Sequence, residues 1–148
     1  MHETPAVLRV RRLREGARLP QRQTALASGF DLHACLEGAS LMVERLPVLV
    51  PTGLAIAAAP GLDVQVRPRS GLSSRGVMAV LGTLDADYRG EVFVTMYCLP
   101  GAGPHEVRDG DRIAQIVVAR LAEVAWQTAD DLDPTDRGAG GHGSTGRA

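Results

Sequence analysis

The sequence predicts an all-β fold, and three observations carry that expectation. Its apolar runs are short, they alternate with polar residues at the two-residue period of a half-buried strand, and 17 glycines and 9 prolines punctuate its 148 residues. A chain of this length suits a single domain and buries roughly 68–70% of the surface it exposes unfolded, so a real core is available. Val7 to Leu13 reads as the first strand. Leu62, Val64 and Val66 alternate as another, and Val92, Val94 and Met96 as a third, with Glu91, Phe93, Thr95 and Tyr97 on its opposite face. Ile113 to Leu121 is more continuously apolar, the pattern of a strand covered on both faces. Turns are expected at Val50-Pro51-Thr52-Gly53 and across Leu99 to Pro104. Ala119 to Asp133 fits a helix loosely and stops at Pro134, so it reads as the end of a strand followed by an irregular connection. The expected organisation is one domain over residues 1–133 and a glycine-rich arm over residues 134–148.

Composition narrows the function. The formal net charge is −1, from 16 basic and 17 acidic residues, and only 3% of residues are aromatic. A generally basic nucleic-acid binder is excluded, and the stacking platforms of single-strand binders are missing, so no nucleic-acid partner is expected. Cys35 and Cys98 fall in no metal-ligand spacing, and His2, His33, His105 and His142 form no cluster, which predicts free thiols and no structural zinc. The first residues carry Arg9, Arg11, Arg12 and Arg14 and no apolar secretory core. The most apolar stretch, Leu46 to Leu62, is broken by Pro47, Pro51, Gly53, Pro60 and Gly61 and cannot span a membrane. The expectation is a cytoplasmic protein with no membrane contact.

The C-terminal stretch "DRGAGGHGSTGRA" matches dinucleotide fingerprints at Gly138, Gly140 and Gly143 and again at Gly141, Gly143 and Gly146. Those motifs work only between a strand and a helix, and Arg147 and Ala148 stand where a phosphate-binding P-loop needs Lys and Ser or Thr. What remains is backbone N–H, hydroxyls and arginines, the chemistry of phosphate binding without a nucleotide fold. Four internal segments carry further candidates. In "RPRSGLSSRG", Arg69, Ser70 and Gly71 combine a guanidinium fork, a hydroxyl and an approachable backbone, an anion site or a solvated turn. In "GTLDADYRGEV", Asp85 and Asp87 share a face if the chain is extended, or one sits in a bend while the other points inward, with Tyr88 beside them. In "GDRIAQIVV", Asp111 and Arg112 read as a turn, and Gln115 interrupts a buried strand and needs a partner. In "ASGFDLHA", Asp31 sits between Phe30 and Leu32, where a carboxylate is either paired or functional.

Taken together and in order, "SGFDLHA", "PRSGLSSRG", "GTLDADYRGEV", "GDRIAQIVV" and "RGAGGHGSTG" resemble the five motifs of the trimeric all-β dUTPases along nearly the whole chain. The resemblance implies a distorted β-barrel or jelly-roll subunit and a homotrimer whose active sites lie between subunits. It also implies hydrolysis of dUTP to dUMP and pyrophosphate with Mg²⁺, and a mobile C-terminal arm that closes over bound nucleotide. By the same resemblance Asp85 is the base for the attacking water, with Asp87 secondary, and Tyr88 packs on the deoxyribose and refuses a 2′-hydroxyl. The backbone around Gly82 and Leu84 pairs with uracil. Arg69, Ser70 and Gly71 hold the α- and β-phosphates from a neighbouring subunit, Gln115 bonds near the α-phosphate, and Asp31 acts on Mg²⁺ through a water. From the arm, Arg137, Ser144 and Thr145 take the γ-phosphate, and His142, with Gly143 beside it, lies over uracil. The chain departs from the family pattern at His142, where Phe is commoner, and in Val77 to Gly82, which is short and lacks an Asn.

Two other functions share parts of this pattern. A dCTP deaminase on a related fold needs its acid–base carboxylate in a different motif context, and the tyrosine-bearing third motif and full arm favour the hydrolase. A catalytically silent nucleotide-binding trimer should lack Asp85 or the arm's Arg137 and Ser144, and all three are present.

Overall fold

A computed structural model of the chain describes residues 5–141. The predicted all-β class holds: ten strands and a single helical turn account for its regular structure. One sheet orders its strands β1 (Arg9–Arg12), β4 (Val48–Ala57), β8 (Glu91–Cys98) and β6 (Val77–Ala79). A second orders β2 (Gly29–His33), β10 (Arg112–Arg120), β5 (Leu62–Arg67) and β7 (Gly82–Thr83). A small ribbon pairs β3 (Ser40–Val43) with β9 (His105–Arg108), and every ladder in the three sheets is antiparallel. The architecture is an open jelly-roll-like sandwich.

Alternation builds the core. Val92, Val94, Met96 and Cys98 are buried along β8 while Phe93 between them is exposed, and Val64 and Val66 are buried along β5. They join Leu32, Val50, Leu54, Ile56, Ala114 and Ile116 in one cluster. Each buried Val, Leu or Ile side chain contributes about 1.5–3 kcal/mol relative to exposure. Both cysteines are buried free thiols.

The structure corrects two sequence expectations. Val50 to Gly53 is no turn but the middle of β4, where the pairing with β8 shifts register between Pro51 and Ala55. Gly53, at φ +68°, supplies the left-handed residue of this irregularity. The buried Thr52 beside it donates its hydroxyl to the Val92 carbonyl at 2.6 Å, so no polar group is stranded there. Nor is β10 covered on both faces throughout: Ile113, Ala114 and Ile116 are buried, Val117 and Val118 are half-buried, and Ala119 and Arg120 are exposed.

Leu99 to Pro104 turns as expected, with Gly101 and Gly103 at positive φ. Beyond β10 the chain runs as an irregular, exposed segment, as read from the sequence. Leu121, Val124, Trp126 and Leu132 are all exposed on it, Trp126 at 96%.

Candidate active site

The second sheet carries the site residues on its outer face. In β2 Leu32 points into the core, so Asp31 and His33 point the other way, and the register sets Gln115 of β10 and then Arg67 of β5 beside Asp31. Asp31 is 8% exposed, and a carboxylate that buried requires compensating charge. Arg69 Nε lies 3.4 Å from one of its oxygens and Arg112 Nη1 3.3 Å from the other. Arg69 also donates to the Arg112 carbonyl at 2.9 Å, closing a cage across residues 31, 69 and 112. The sequence offered Asp31 as paired or functional; the pairing is present.

Arg69 precedes α1 (Ser70–Ser73), one helical turn that places Ser70 and Gly71 exposed beside the cage and buries Leu72. Gln115 Nε2 donates to the Pro68 carbonyl at 3.0 Å, which ties β10 to this loop and satisfies the amide. Gly29 makes room for it. A Cβ there would overlap Gln115 Oε1 and come within 2.8 Å of its Cδ. His33 Nδ1 is buried without a hydrogen-bond partner; burial and then Arg18 push the imidazole pKa below its ordinary value.

The other candidates gather at β7, the far edge of the same sheet. Leu84 N–H donates to the Val64 carbonyl at 2.8 Å, and Gly82 pairs with Val66. By the alternation of an antiparallel ladder, the backbone N–H and C=O of Thr83 therefore face away from β5. After β7 the chain bends, with Tyr88 N–H donating to the Asp85 carbonyl at 3.0 Å. The chain is bent here rather than extended, so Asp85 and Asp87 share no strand face. Neither aspartate points inward, since both are exposed, and Arg89 closes the turn by donating to the carbonyls of Ala86 and Tyr88 at 2.7 and 2.8 Å.

The Tyr88 side chain is fixed. Its hydroxyl donates to the Glu91 carbonyl at 2.9 Å, and its ring lies so close over Gly90 that a Cβ there would come within 2.6 Å of Tyr88 Cζ.

One chain does not bring the two groups together. Asp31, Arg69 and Gln115 gather around β2, β10 and the start of α1, whereas Asp85 and Tyr88 follow β7. In the arm, Arg137 donates to the Gly140 carbonyl at 2.9 Å within a turn that begins at Thr135. His142, Gly143, Ser144 and Thr145 lie outside the described residues.

For a divalent cation the described residues hold no group of three His, Cys, Asp or Glu side chains. Asp31, with a guanidinium on each oxygen, is a poor direct ligand, but each oxygen keeps a lone pair that can accept from a metal-bound water. That donor set fits Mg²⁺ held mainly by phosphate and water. Among the described residues no helix is long and apolar enough to cross a membrane.

Sequence reasoning missed four participants. Arg112 reads as part of a turn, and plain strand alternation would set it on the face opposite Gln115; it reaches Asp31 through the register shift between Arg112 and Ala114. Gly29, the outward edge of Thr83 and Glu91 depend on pairings between distant segments, which local pattern does not reveal.

Comparison with known proteins places this geometry. The dUTPase family model matches residues 15–146. The deoxyuridine 5′-triphosphate nucleotidohydrolase of Treponema denticola is 43% identical over 140 residues, covering 93% of this chain and 96% of its own. That of Desulfotalea psychrophila is 44% identical over 131 residues, covering 86% and 87%. Among solved structures, a point mutant of the Staphylococcus bacteriophage 80alpha dUTPase with dUpNHpp superposes with a TM-score of 0.82 at 21% identity, over 95% of this chain and 99% of that one. A point mutant of the dUTPase from phage phi11 of S. aureus, described with a structural Mg(II) ion, gives 0.74 at 20% identity over 84% and 97%. With the family model spanning nearly its whole length and two relatives this similar end to end, the chain belongs to the dUTPase family.

Proposed function

We propose that the chain hydrolyses dUTP to dUMP and pyrophosphate, in a site that two or more copies complete within a homotrimer. Family membership over residues 15–146 carries the activity, since that span contains every candidate residue. The separation of the two groups in one chain supports a shared site: the Asp31–Arg69–Gln115 patch of one copy faces the Asp85–Tyr88 turn of another, with the arm closing over both.

The chemistry follows from the side chains. Water is a weak nucleophile at neutral pH, so the Asp85 carboxylate orients it and accepts its proton as its oxygen bonds to the α-phosphorus. The bond from that phosphorus to the bridging oxygen breaks in line, and pyrophosphate leaves with the electron pair. Charge developing on the phosphate oxygens is met by the Arg69 fork, the Ser70 hydroxyl, the Gly71 backbone and Gln115. Asp31 would hold Mg²⁺ through a water, and the ion, bound with the triphosphate, would supply further charge neutralisation. Uracil pairs with the outward backbone of β7 between Gly82 and Leu84, with His142 stacked above and Gly143 beside it. Arg137, Ser144 and Thr145 hold the γ-phosphate. Tyr88, held by Gly90 and Glu91, covers the deoxyribose and leaves no space for a 2′-hydroxyl. A steric wall suits this task, because a merely apolar pocket rejects an added hydroxyl only weakly.

Pyrophosphate release from dUTP, dCTP, dTTP and UTP, each with Mg²⁺ and with chelator, tests the reading. Release from dUTP alone, lost on chelation and abolished in Asp85→Asn while dUpNHpp still binds, is the expected result. Ammonia from dCTP would make the chain a deaminase. Binding of dUTP without turnover would make it a silent nucleotide-binding protein.

A further inference from the structure

The Glu91 backbone holds Tyr88 in the site described above, but its side chain turns elsewhere and forms with Arg14 a two-pronged ion pair that the site does not use. Arg14 Nη1 and Nη2 reach the two Glu91 oxygens at 2.6 and 2.8 Å, a two-pronged contact with side chains only 28% and 11% exposed. The same carboxylate accepts the Gly53 N–H at 2.8 Å, at the register shift of β4. Burial alone would raise the Glu91 carboxyl; the Arg14 guanidinium and the Gly53 N–H outweigh it and hold it below the ordinary carboxylate range. Leu13, next to Arg14, donates its N–H to the Gly53 carbonyl at 2.8 Å, so the N-terminal strand is tied to the same point twice.

On its other side Glu91 is bonded to Tyr88. The Glu91 carbonyl accepts the Tyr88 hydroxyl at 2.9 Å, and Gly90, between the two, leaves the space that the hydroxyl end of the ring occupies. A continuous chain of contacts therefore runs from Arg14 through the Glu91 side chain and backbone to the Tyr88 ring. Removing Arg14 would leave a nearly buried carboxylate without its charge partner. That carboxylate must take a proton or turn toward water, and either moves the start of β8 and the carbonyl that holds the tyrosine.

We propose that Arg14 is a positioning residue for the nucleotide-reading turn, acting through Glu91 to fix the Tyr88 ring. Its effect on sugar discrimination rests on the reading of Tyr88 given above; its effect on the ring does not. Arg14 stands just before the first residue the family model matches. The staple thus joins the turn to a segment outside that span.

The test uses two readouts in a Tyr97→Phe background, where Tyr88 is the single tyrosine. The first is the NMR signal of ring-¹³C-labelled Tyr88, and the second is the ratio of kcat/KM for dUTP to that for UTP. In Arg14→Met the signal is expected to move toward that of free tyrosine and the ratio to fall about tenfold, with kcat for dUTP changing less than about threefold. Arg14→Lys keeps the charge without the two-pronged grip and is safer for folding, so it should give an intermediate shift. Val107→Ala, a core truncation on β9, should lower the melting temperature and move neither readout. A shifted signal with an unchanged ratio upholds the positioning and ends the Tyr88 sugar reading. An unmoved signal in both Arg14 variants, or an equal shift in Val107→Ala, overturns the proposal.

Discussion

Replacing Gly29 by alanine should disable the enzyme without unfolding it, because the space that glycine leaves belongs to Gln115. An alanine Cβ would overlap Gln115 Oε1 and come within 2.8 Å of Cδ and 3.3 Å of Cβ. The first two atoms are the far end of a flexible side chain, and the backbone of Gly29 has no positive φ to object to alanine. The amide swings away and gives up its bond to the Pro68 carbonyl, a loss of about 1 kcal/mol in stability. In turnover the loss is larger if Gln115 meets the α-phosphate as proposed, and the loop carrying Arg69, Ser70 and Gly71 is untied in any case. A fall in kcat/KM of about 30-fold, equivalent to about 2 kcal/mol of transition-state stabilisation, is expected. The decisive assay is a double-mutant cycle with Gln115→Ala. Once the amide is gone only the Cβ at position 115, 3.3 Å away, still crowds the alanine and need give by only a few tenths of an ångström, so Gly29→Ala in the Gln115→Ala background should cost no more than about threefold. A further 30-fold loss in that background would refute the reasoning, because the glycine would then act other than by seating Gln115.

Further expectations concern stability. Gly53→Ala forces a left-handed residue, at about 1–2 kcal/mol, and brings Cβ within 2.8 Å of Ala17 Cβ and 2.9 Å of Cys35 Sγ. Calorimetry should show a drop of at least about 5 °C in melting temperature; an unchanged value would mean that the register shift in β4 relaxes freely. The pH dependence of stability should carry the mark of Glu91. Its folded-state pKa is depressed, so its contribution is full above the unfolded value near 4.3 and is lost as pH falls through the folded one. Denaturant midpoints of wild type and Glu91→Gln should therefore differ by a constant amount at neutral pH and converge in acid. A gap that widens in acid would contradict the ion pair with Arg14.

Much of this fold was legible because its strands advertise themselves locally. The alternation at Leu62, Val64 and Val66 and at Val92, Val94 and Met96 marked out β5 and β8 with the correct faces inward. Pro51-Thr52-Gly53 misled, since proline and glycine usually mark a turn. Here they sit inside a strand because Thr52 reaches Val92 and a carboxylate 38 residues away caps Gly53. The same limit applies to the site. Asp31 was visible as a carboxylate out of place between apolar neighbours, but that Arg112 would share it with Arg69 depends on β2 and β10 lying side by side, 81 residues apart in sequence. Aspartates two apart share a face only in an extended chain, and β7 ends before Asp85, so that choice belonged to tertiary structure.

The chain's single tryptophan, Trp126, stands on the exposed stretch between the end of β10 and the arm. Its emission therefore comes from that stretch alone, with no interior indole to dilute it. Any surface that settles over the stretch will register as a blue shift and shielding from soluble quenchers. The protein carries a built-in optical gauge of whether its C-terminal segment lies open to water or covered, readable on the unlabelled chain and in real time as nucleotide is added.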